Sequence, residues 1–537
     1  SGAVAASGTG SVTLTSGGAV TQTAEITTPT LTLAGAGAFT LTDSANNAGT
    51  LSGSGAGAKS YRDADALTVS ALSTTNNAIT LNTGGLLTIT GSVAAGTGGV
   101  SITAAGVTES GGTVSGGLLS LAGAGTFAMG ANNDVSSIEA AVTGVLTFND
   151  ANGFTVAGTG ITTGGNAATL STTVGGIAIN QPINVGASDL TLNIAGAATQ
   201  GGSGAITASG LRLLGGGYTL TNTGNAVGTL AANTGSAISV TDADGFTVGT
   251  VGGTSGITTT NNAVTLTAVA NGLAINQPVS IGSATLTLNT PGTVTQGGGG
   301  GITAATLDLR GTAAYTLDNN ANDVDTLTAG AGSVGGNVIF HDTDDFILGA
   351  MTVSGGTLTL RAGGGTVTQS GVLNVTNLLL TGPAAYTLTQ ANTITTLAAD
   401  NTGAVTFRDA DGFAVGTVGA VNGMTTLSGA AIDLTSSTGT LTITDQVNAG
   451  SGTVSLTTDA IAVGNTVTGG AITIRNATAG TTIGLGSGAG TLNLDNTELG
   501  FLSAATGTVT IGRTTGGLQP GALTADTVLL GAANYHL

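Results

Sequence analysis

The residues in this chain best suited to chemistry are a set of Asp-x-Asp-Gly-Phe-like turns. They are Asp63/Asp65, Asp150/Asn152, Asp242/Asp244, Asp342/Asp344 and Asp409/Asp411, followed in the last four by Phe154, Phe246, Phe346 and Phe413. Two oxygen-bearing side chains two residues apart in a turn can share a calcium ion with backbone carbonyls. Asp242, Asp244, Asp409 and Asp411 are therefore the candidate metal ligands. Calcium takes roughly six to eight oxygens, however, and neither a full EF-hand loop nor the Gly-Gly-x-Gly-x-Asp nonapeptide is present. Successive turns lie about four coils apart in the architecture inferred below, roughly 19 Å, too far to pool ligands. The favoured expectation is a hydrogen-bonded Asx corner whose Phe tucks inward, with no catalytic, cofactor or metal residue assigned.

Acid–base attack on a polysaccharide would need carboxylates together with Arg, Lys or His on one face. Lysine occurs once, at Lys59, and histidine twice, at His341 and His536. Among the arginines, Arg62 and Arg408 directly precede Asp63 and Asp409, as His341 precedes Asp342. Because these pairs recur at equivalent positions, local turn salt bridges are expected rather than one active site. Two other features have structural explanations. Outward Thr rows could form a hydroxyl ladder of the ice-binding kind, but Thr also simply suits solvated strands. Ile179-Asn180-Gln181-Pro182 and Ile275-Asn276-Gln277-Pro278, 96 residues apart, mark equivalent coil corners, since Pro cannot donate to a central ladder.

The turns are the third of three landmarks that recur five times in fixed order. A Thr-Gln or Thr-Glu pair places Gln22, Glu109, Gln200, Gln296 and Gln369; an aromatic-x-Leu triplet starts at Phe39, Phe127, Tyr218, Tyr315 and Tyr386. Offsets are 17, 18, 18, 19 and 17 from first to second landmark, and 24, 23, 24, 27 and 23 from second to third. The return to the next first landmark takes 46, 50 and 54 residues in three cycles but 27 from Asp342 to Gln369, so about one coil has been dropped whole. A stack whose layers touch only their neighbours tolerates such a loss. Excising residues 343–369 is expected to leave a shorter folded stack.

Composition agrees. With 95 Gly in 537 residues, abundant Thr and Val, and only four Glu, helix is disfavoured and strands joined by tight turns are favoured. Runs such as Leu190-Thr191-Leu192-Asn193 and Leu358-Thr359-Leu360 alternate apolar and polar residues, aliphatics inward and Thr outward. The expected fold is all-β: a single elongated parallel β-helix (β-solenoid) over 1–537, on the order of 23 coils, with little or no α-helix. Degenerate repeats run roughly over 20–106, 107–197, 198–293, 294–366 and 367–460, with divergent terminal coils over 461–537. A narrow bore explains why aromatics make up only 3% of residues and sit at positions such as Phe39, Tyr218 and Phe246. A net charge of −19 repels phosphate backbones and anionic headgroups, so neither nucleic acid nor direct lipid binding is expected. Cysteine is absent, which excludes disulfides and thiolate metal sites. Without an initiator Met or a leader, the chain is expected to be a processed or excised piece.

Gly/Thr/Ala-rich coils, Leu-Thr-Leu strands, Asn-containing turns and scarce Lys resemble the filamentous-haemagglutinin type of exported β-helix. That family comprises large bacterial adhesins and exoproteins of the two-partner-secretion or autotransporter-passenger type. The resemblance implies an extracellular, cell-surface stalk, non-enzymatic and without cofactors, acting in attachment, aggregation or biofilm cohesion. Its partners would be copies of itself, neighbouring-cell or matrix surfaces, and an outer-membrane secretion partner. The alternatives are a structural subunit of an extracellular filament, sheath or surface layer, and a β-helical polysaccharide-degrading enzyme.

Overall fold

The computed structural model describes residues 2–330, 332–427, 429–512, 520–526 and 528, and the backbone of 535–536. Arg513 and the side chain of His536 lie outside the described residues. Strand accounts for 59% and helix for 1%, wound as a parallel β-solenoid of about 24 turns. The chain divides into two compact units, Ser1–Val269 and Ala270–Leu537.

In the first unit one buried column runs Leu67, Leu87, Val107, Phe127, Leu146, Ala168, Leu190, Leu211 and Leu230, each paired in parallel with the next. Each step is one turn. The residues between them face outward, as Thr147, Thr169 and Thr191 do; that hydroxyl row stops at Arg212 and Ala231. In the second unit the matching column is Leu273, Val294, Tyr315, Val338, Leu358, Leu378, Leu397 and Val415. Every buried aliphatic in these columns contributes about 1.5–3 kcal/mol, so the stack is held by many similar small terms rather than by one core.

The repeat is not a whole number of turns. The column through Phe39 continues to Lys59, Ile79, Val100, Leu119 and Ile138. Phe127, the next aromatic landmark, falls in sequence between Leu119 and Ile138 and belongs to the other column. Phe39 and Phe127 are therefore four turns and just under half apart, where the sequence suggested about four, and they lie in different columns of the bore. In the second unit Tyr386 likewise falls between Leu378 and Leu397 of the Tyr315 column, after three turns and just under half. The missing coil is a whole turn. Its register also corrects the excision boundary: Asp342 pairs with Ala362, so one turn is 343–362, and a cut over 343–369 would join residues that do not superpose.

Among the described residues each unit carries one antiparallel hairpin lying on the outside of the sheet. Thr250–Val251 pairs with Thr254–Ser255 in the first, and Thr417–Val418 with Val421–Asn422 in the second. Val251 and Val418 fold back and are buried beside the strands Ala226–Thr234 and Ala385–Asn401. Gly210 makes room for the first, since a Cβ there would sit 2.8 Å from the Val251 methyl. The Pro182 and Pro278 segments do sit at exposed corners between strands, and the Pro182 carbonyl accepts from the Ile161 N–H at 2.8 Å.

Candidate functional site

The three landmarks converge on a corner that the sequence did not join up. On one side of each corner the solenoid carries an extra outer facet that lasts two or three turns and then ends. Where the facet ends, its last N–H has no strand above it. The buried Asp supplies the acceptor: Asp63, Asp150, Asp242, Asp342 and Asp409 use Oδ2 to accept from Ala48, Val135, Val227, Val324 and Ile394 at 2.7–3.0 Å. Their Oδ1 accepts from the amide of the residue two further on, closing the expected Asx corner.

The glycine in the turn adds a second amide. Gly153, Gly245 and Gly412 adopt φ of +126°, +151° and +110° and donate to Oδ1 at 2.8–2.9 Å. Ala66 and Asp345 stand there in the first and fourth cycles, and no such bond forms. The following Phe is buried as expected; Phe154, Phe346 and Phe413 each meet the preceding strand's Phe148, Phe340 or Phe407 edge-on at 5.2 Å.

Between the Gln and the Asp stands an Asn that sequence reading missed: Asn46, Asn133, Asn225, Asn322 and Asn392, all buried. Its Oδ1 accepts from the backbone N–H of Ile26, Val114, Ile206, Ile302 or Leu373 one turn before. Its Nδ2 donates to the carbonyl of Arg62, Asn149, Thr241, His341 or Arg408 one turn after. The side-chain amide thus stands in for a peptide group in the ladder. The landmark Gln anchors it: Gln200 and Gln296 donate to the Asn Oδ1 at 2.7 Å and accept from its Nδ2 at 3.1 Å. A signal was available, because Asn precedes the Asp by 17 residues in four cycles and by 20 in the fourth.

The second cycle has Glu109 where the others have Gln. Its Oε2 accepts from the Ala131 N–H at 2.8 Å, and its Oε1 is buried with no partner. Burial pushes its carboxyl above the ordinary range. Burial also raises Asp242, and pushes Asp342 up to about 7 and Asp409 up to about 6, against the pull of the amides that they accept from. Lys59 is buried too, its Nζ 3.3 Å from the Gly55 and Gly57 carbonyls, and desolvation lowers its pKa.

The expected turn salt bridges are not formed. Strand alternation turns Arg62 and Arg408 outward and their Asp neighbours inward, and Arg408 donates instead to Ser437 at 2.9 Å. His341 stands in register with Arg361, and burial and that guanidinium both lower its pKa. The ion pair found among the described residues is Arg310–Asp308, at 2.6 Å. Of the candidate metal ligands, Asp242 and Asp409 are buried and accept from backbone amides, while Asp244 and Asp411 are exposed. Among the described residues no three His, Cys, Asp or Glu come together as a metal group.

What varies is the pair of outward residues flanking the capped N–H: Asn47/Gly49, Asp134/Ser136, Ala226/Gly228, Asp323/Asp325 and Thr393/Thr395. In the first two cycles a side-chain bond closes the corner, Asn47 to Asp65 at 2.9 Å and Asn152 to Asp134 at 3.2 Å. In the fifth the corner stays open, and a groove of about 530 Å³ runs over it across five turns.

The fold and site define a class: a parallel β-solenoid of degenerate repeats whose repeated polar residues serve the backbone. Residues 2–53 and 335–401 are similar to a family described as repeats of unknown function (DUF5649). Both stretches cover the same part of the repeat, Gln22 and Gln369 being 347 residues apart, as are Phe39 and Tyr386. No curated protein and no solved structure matches the chain.

Proposed function

We propose that the chain is a segment of an exported bacterial surface protein of the filamentous-haemagglutinin-like type. It acts without catalysis in attachment, aggregation or biofilm cohesion, through many weak contacts summed along a repeated surface. The observation that carries this is the division of labour in the repeat. Gln, Asn and Asp satisfy backbone groups inside, while the residues flanking the cap change from cycle to cycle on a recurring scaffold. A recurring scaffold beneath a varied rim suits contact with surfaces. The net charge of −19 disfavours nucleic acid and anionic lipid as the contacted surface.

The test displays the chain on a non-adherent bacterium through an unrelated surface anchor. Faster sedimentation of the cells, or greater retention on matrix-coated plates than with the anchor alone, supports the proposal. Equal behaviour in both assays overturns it.

A further inference from the structure

We infer that Asn271-Gly272 is a self-modification site, where the folded chain converts its own asparagine to aspartate and isoaspartate through a cyclic imide. The sequence holds three Asn-Gly pairs, Asn152-Gly153, Asn271-Gly272 and Asn422-Gly423. In such a pair the glycine nitrogen can close on the asparagine side chain, because no Cβ obstructs its approach and its backbone turns most freely. The Gly nitrogen bonds to the Asn Cγ and gives up its proton, and the side-chain nitrogen leaves with that proton as ammonia. Water then opens the imide at either carbonyl, giving aspartate or, with the main chain rerouted through the side chain, isoaspartate. Water is the one co-reactant.

The fold decides which pair reacts. At Asn152 both reacting groups are held: the Gly153 N–H donates to Asp150 Oδ1 at 2.8 Å, and the Asn152 side-chain amide donates to Asp134 at 3.2 Å. At Asn422 the Gly423 N–H donates to the Gly416 carbonyl at 3.1 Å, and Asn422 Oδ1 accepts from Thr417 at 3.0 Å. A nitrogen held by an acceptor must break that bond before it can attack. Asn271 is exposed, and among the described residues neither its side chain nor the Gly272 N–H makes a hydrogen bond. The Asp-Gly turns are guarded like Asn152, since Gly245 and Gly412 donate to Asp242 and Asp409.

The backbone around the pair is slack. It joins Val264–Ala268 to Leu273–Ile275, and Val269 donates to the Asp242 carbonyl at 2.9 Å, but the N–H groups of Ala270, Asn271 and Gly272 donate to nothing among the described residues. At the equivalent corners of the other cycles the next amide is also tied, Gly85 to Asp65, Val174 to Ala151, Gly364 to Asp344 and Thr438 to Ala410, at 2.9–3.3 Å. The products do not fit as asparagine does. The Asn271 carbonyl accepts from Thr290 Oγ1 at 2.6 Å, and Gly292 passes so close that a Cβ there would lie 2.4 Å from the Asn271 carbonyl carbon. Isoaspartate adds a main-chain atom at this contact and pushes the corner away from Thr290, and either product adds negative charge to a chain already at −19. The modification is thus an age mark on a single corner, whatever the surface binds.

The test incubates the full folded chain in mildly alkaline buffer made with heavy-oxygen water and follows the three Asn-Gly sites by peptide mapping and mass spectrometry. Isoaspartate is counted by enzymatic methylation, and a parallel sample is held unfolded in guanidinium. In the folded chain Asn271 should convert roughly tenfold or more faster than Asn152 and Asn422, the factor that the guarding hydrogen bonds are worth, with heavy oxygen entering at that site. In guanidinium the three rates should draw together. Asn271→Gln, whose ring closure needs a larger imide, should keep the unfolding temperature and abolish the methylation signal of the folded chain. Equal rates at the three sites in the folded chain, no conversion of Asn271, the same ratio of rates with and without guanidinium, or undiminished methylation of folded Asn271→Gln would overturn the inference.

Discussion

Replacing Glu109 by Gln should stabilise this protein, and the gain should depend on pH. In four cycles the Gln Nε2 donates to the buried Asn Oδ1, whereas the second cycle offers a carboxyl oxygen with no partner. A buried acceptor left without a donor costs about 1–3 kcal/mol, more when it is charged. Protonation cures the defect by turning that oxygen into a donor, which is why burial and geometry both favour the neutral acid. The native state then holds a proton that an unfolded Glu releases near its ordinary pKa of about 4.3. Stability is therefore greatest below that range, falls as pH rises through the raised native value, and is flat above it. Glutamine has no proton to lose. Glu109→Gln should change little at pH 4 and add about 1–3 kcal/mol at pH 8, or roughly 2 °C per kcal/mol for a cooperative unit of this size. Calorimetric unfolding of both proteins at the two pH values measures it. Loss of stability on substitution, or a gain equal at both pH values, would refute the reasoning.

Deleting residues 343–362 removes one turn in register and should leave a cooperative β-sheet circular dichroism spectrum, while deleting 343–369 should abolish cooperative unfolding of the second unit. Asn225→Ala strips partners from the Ile206 N–H, the Gln200 amide and the Thr241 carbonyl, and should cost about 2 kcal/mol or more in urea unfolding. Gly153→Ala forces a side chain into φ +126° with its Cβ 2.4 Å from the Gly176 carbonyl oxygen, and should lower the thermal midpoint through at least about 1 kcal/mol. Asp342 has a raised native pKa, so it holds its proton after the unfolded chain has lost it. Its contribution should make the protein more stable at pH 5 than at pH 8, a slope that shrinks in Asp342→Ala once the variant's lower overall stability is subtracted.

Strand, coil length and landmark order were legible because they rest on local pattern: Leu-Thr-Leu alternation fixes which residues face the bore, and turn chemistry fixes the Asp corner. The half-turn offset was not, because it depends on which distant residues pair, and Phe39 and Phe127 look identical in sequence whichever wall they line. The Asn rung was missed for another reason. Asn is common in every turn of this chain, and only the constant distance to the Asp separates Asn225 from Asn222 or Asn233. Arg62 and Arg408 misled through proximity, since chain neighbours on a strand point to opposite sides. The open corner of the fifth cycle could not be foreseen either, because it requires knowing that Thr393 and Asp411 face each other across a gap that Asn47 and Asp65 bridge.

The near half-integer period has a consequence for how such a chain can change length. Gaining or losing complete windings slides every later motif along the axis and leaves its compass bearing untouched, as the shortened interval between Tyr315 and Tyr386 illustrates. Gaining or losing one full motif swaps the bearing of the motifs that follow it within the same unit. Length and bearing can thus be altered independently by two kinds of duplication.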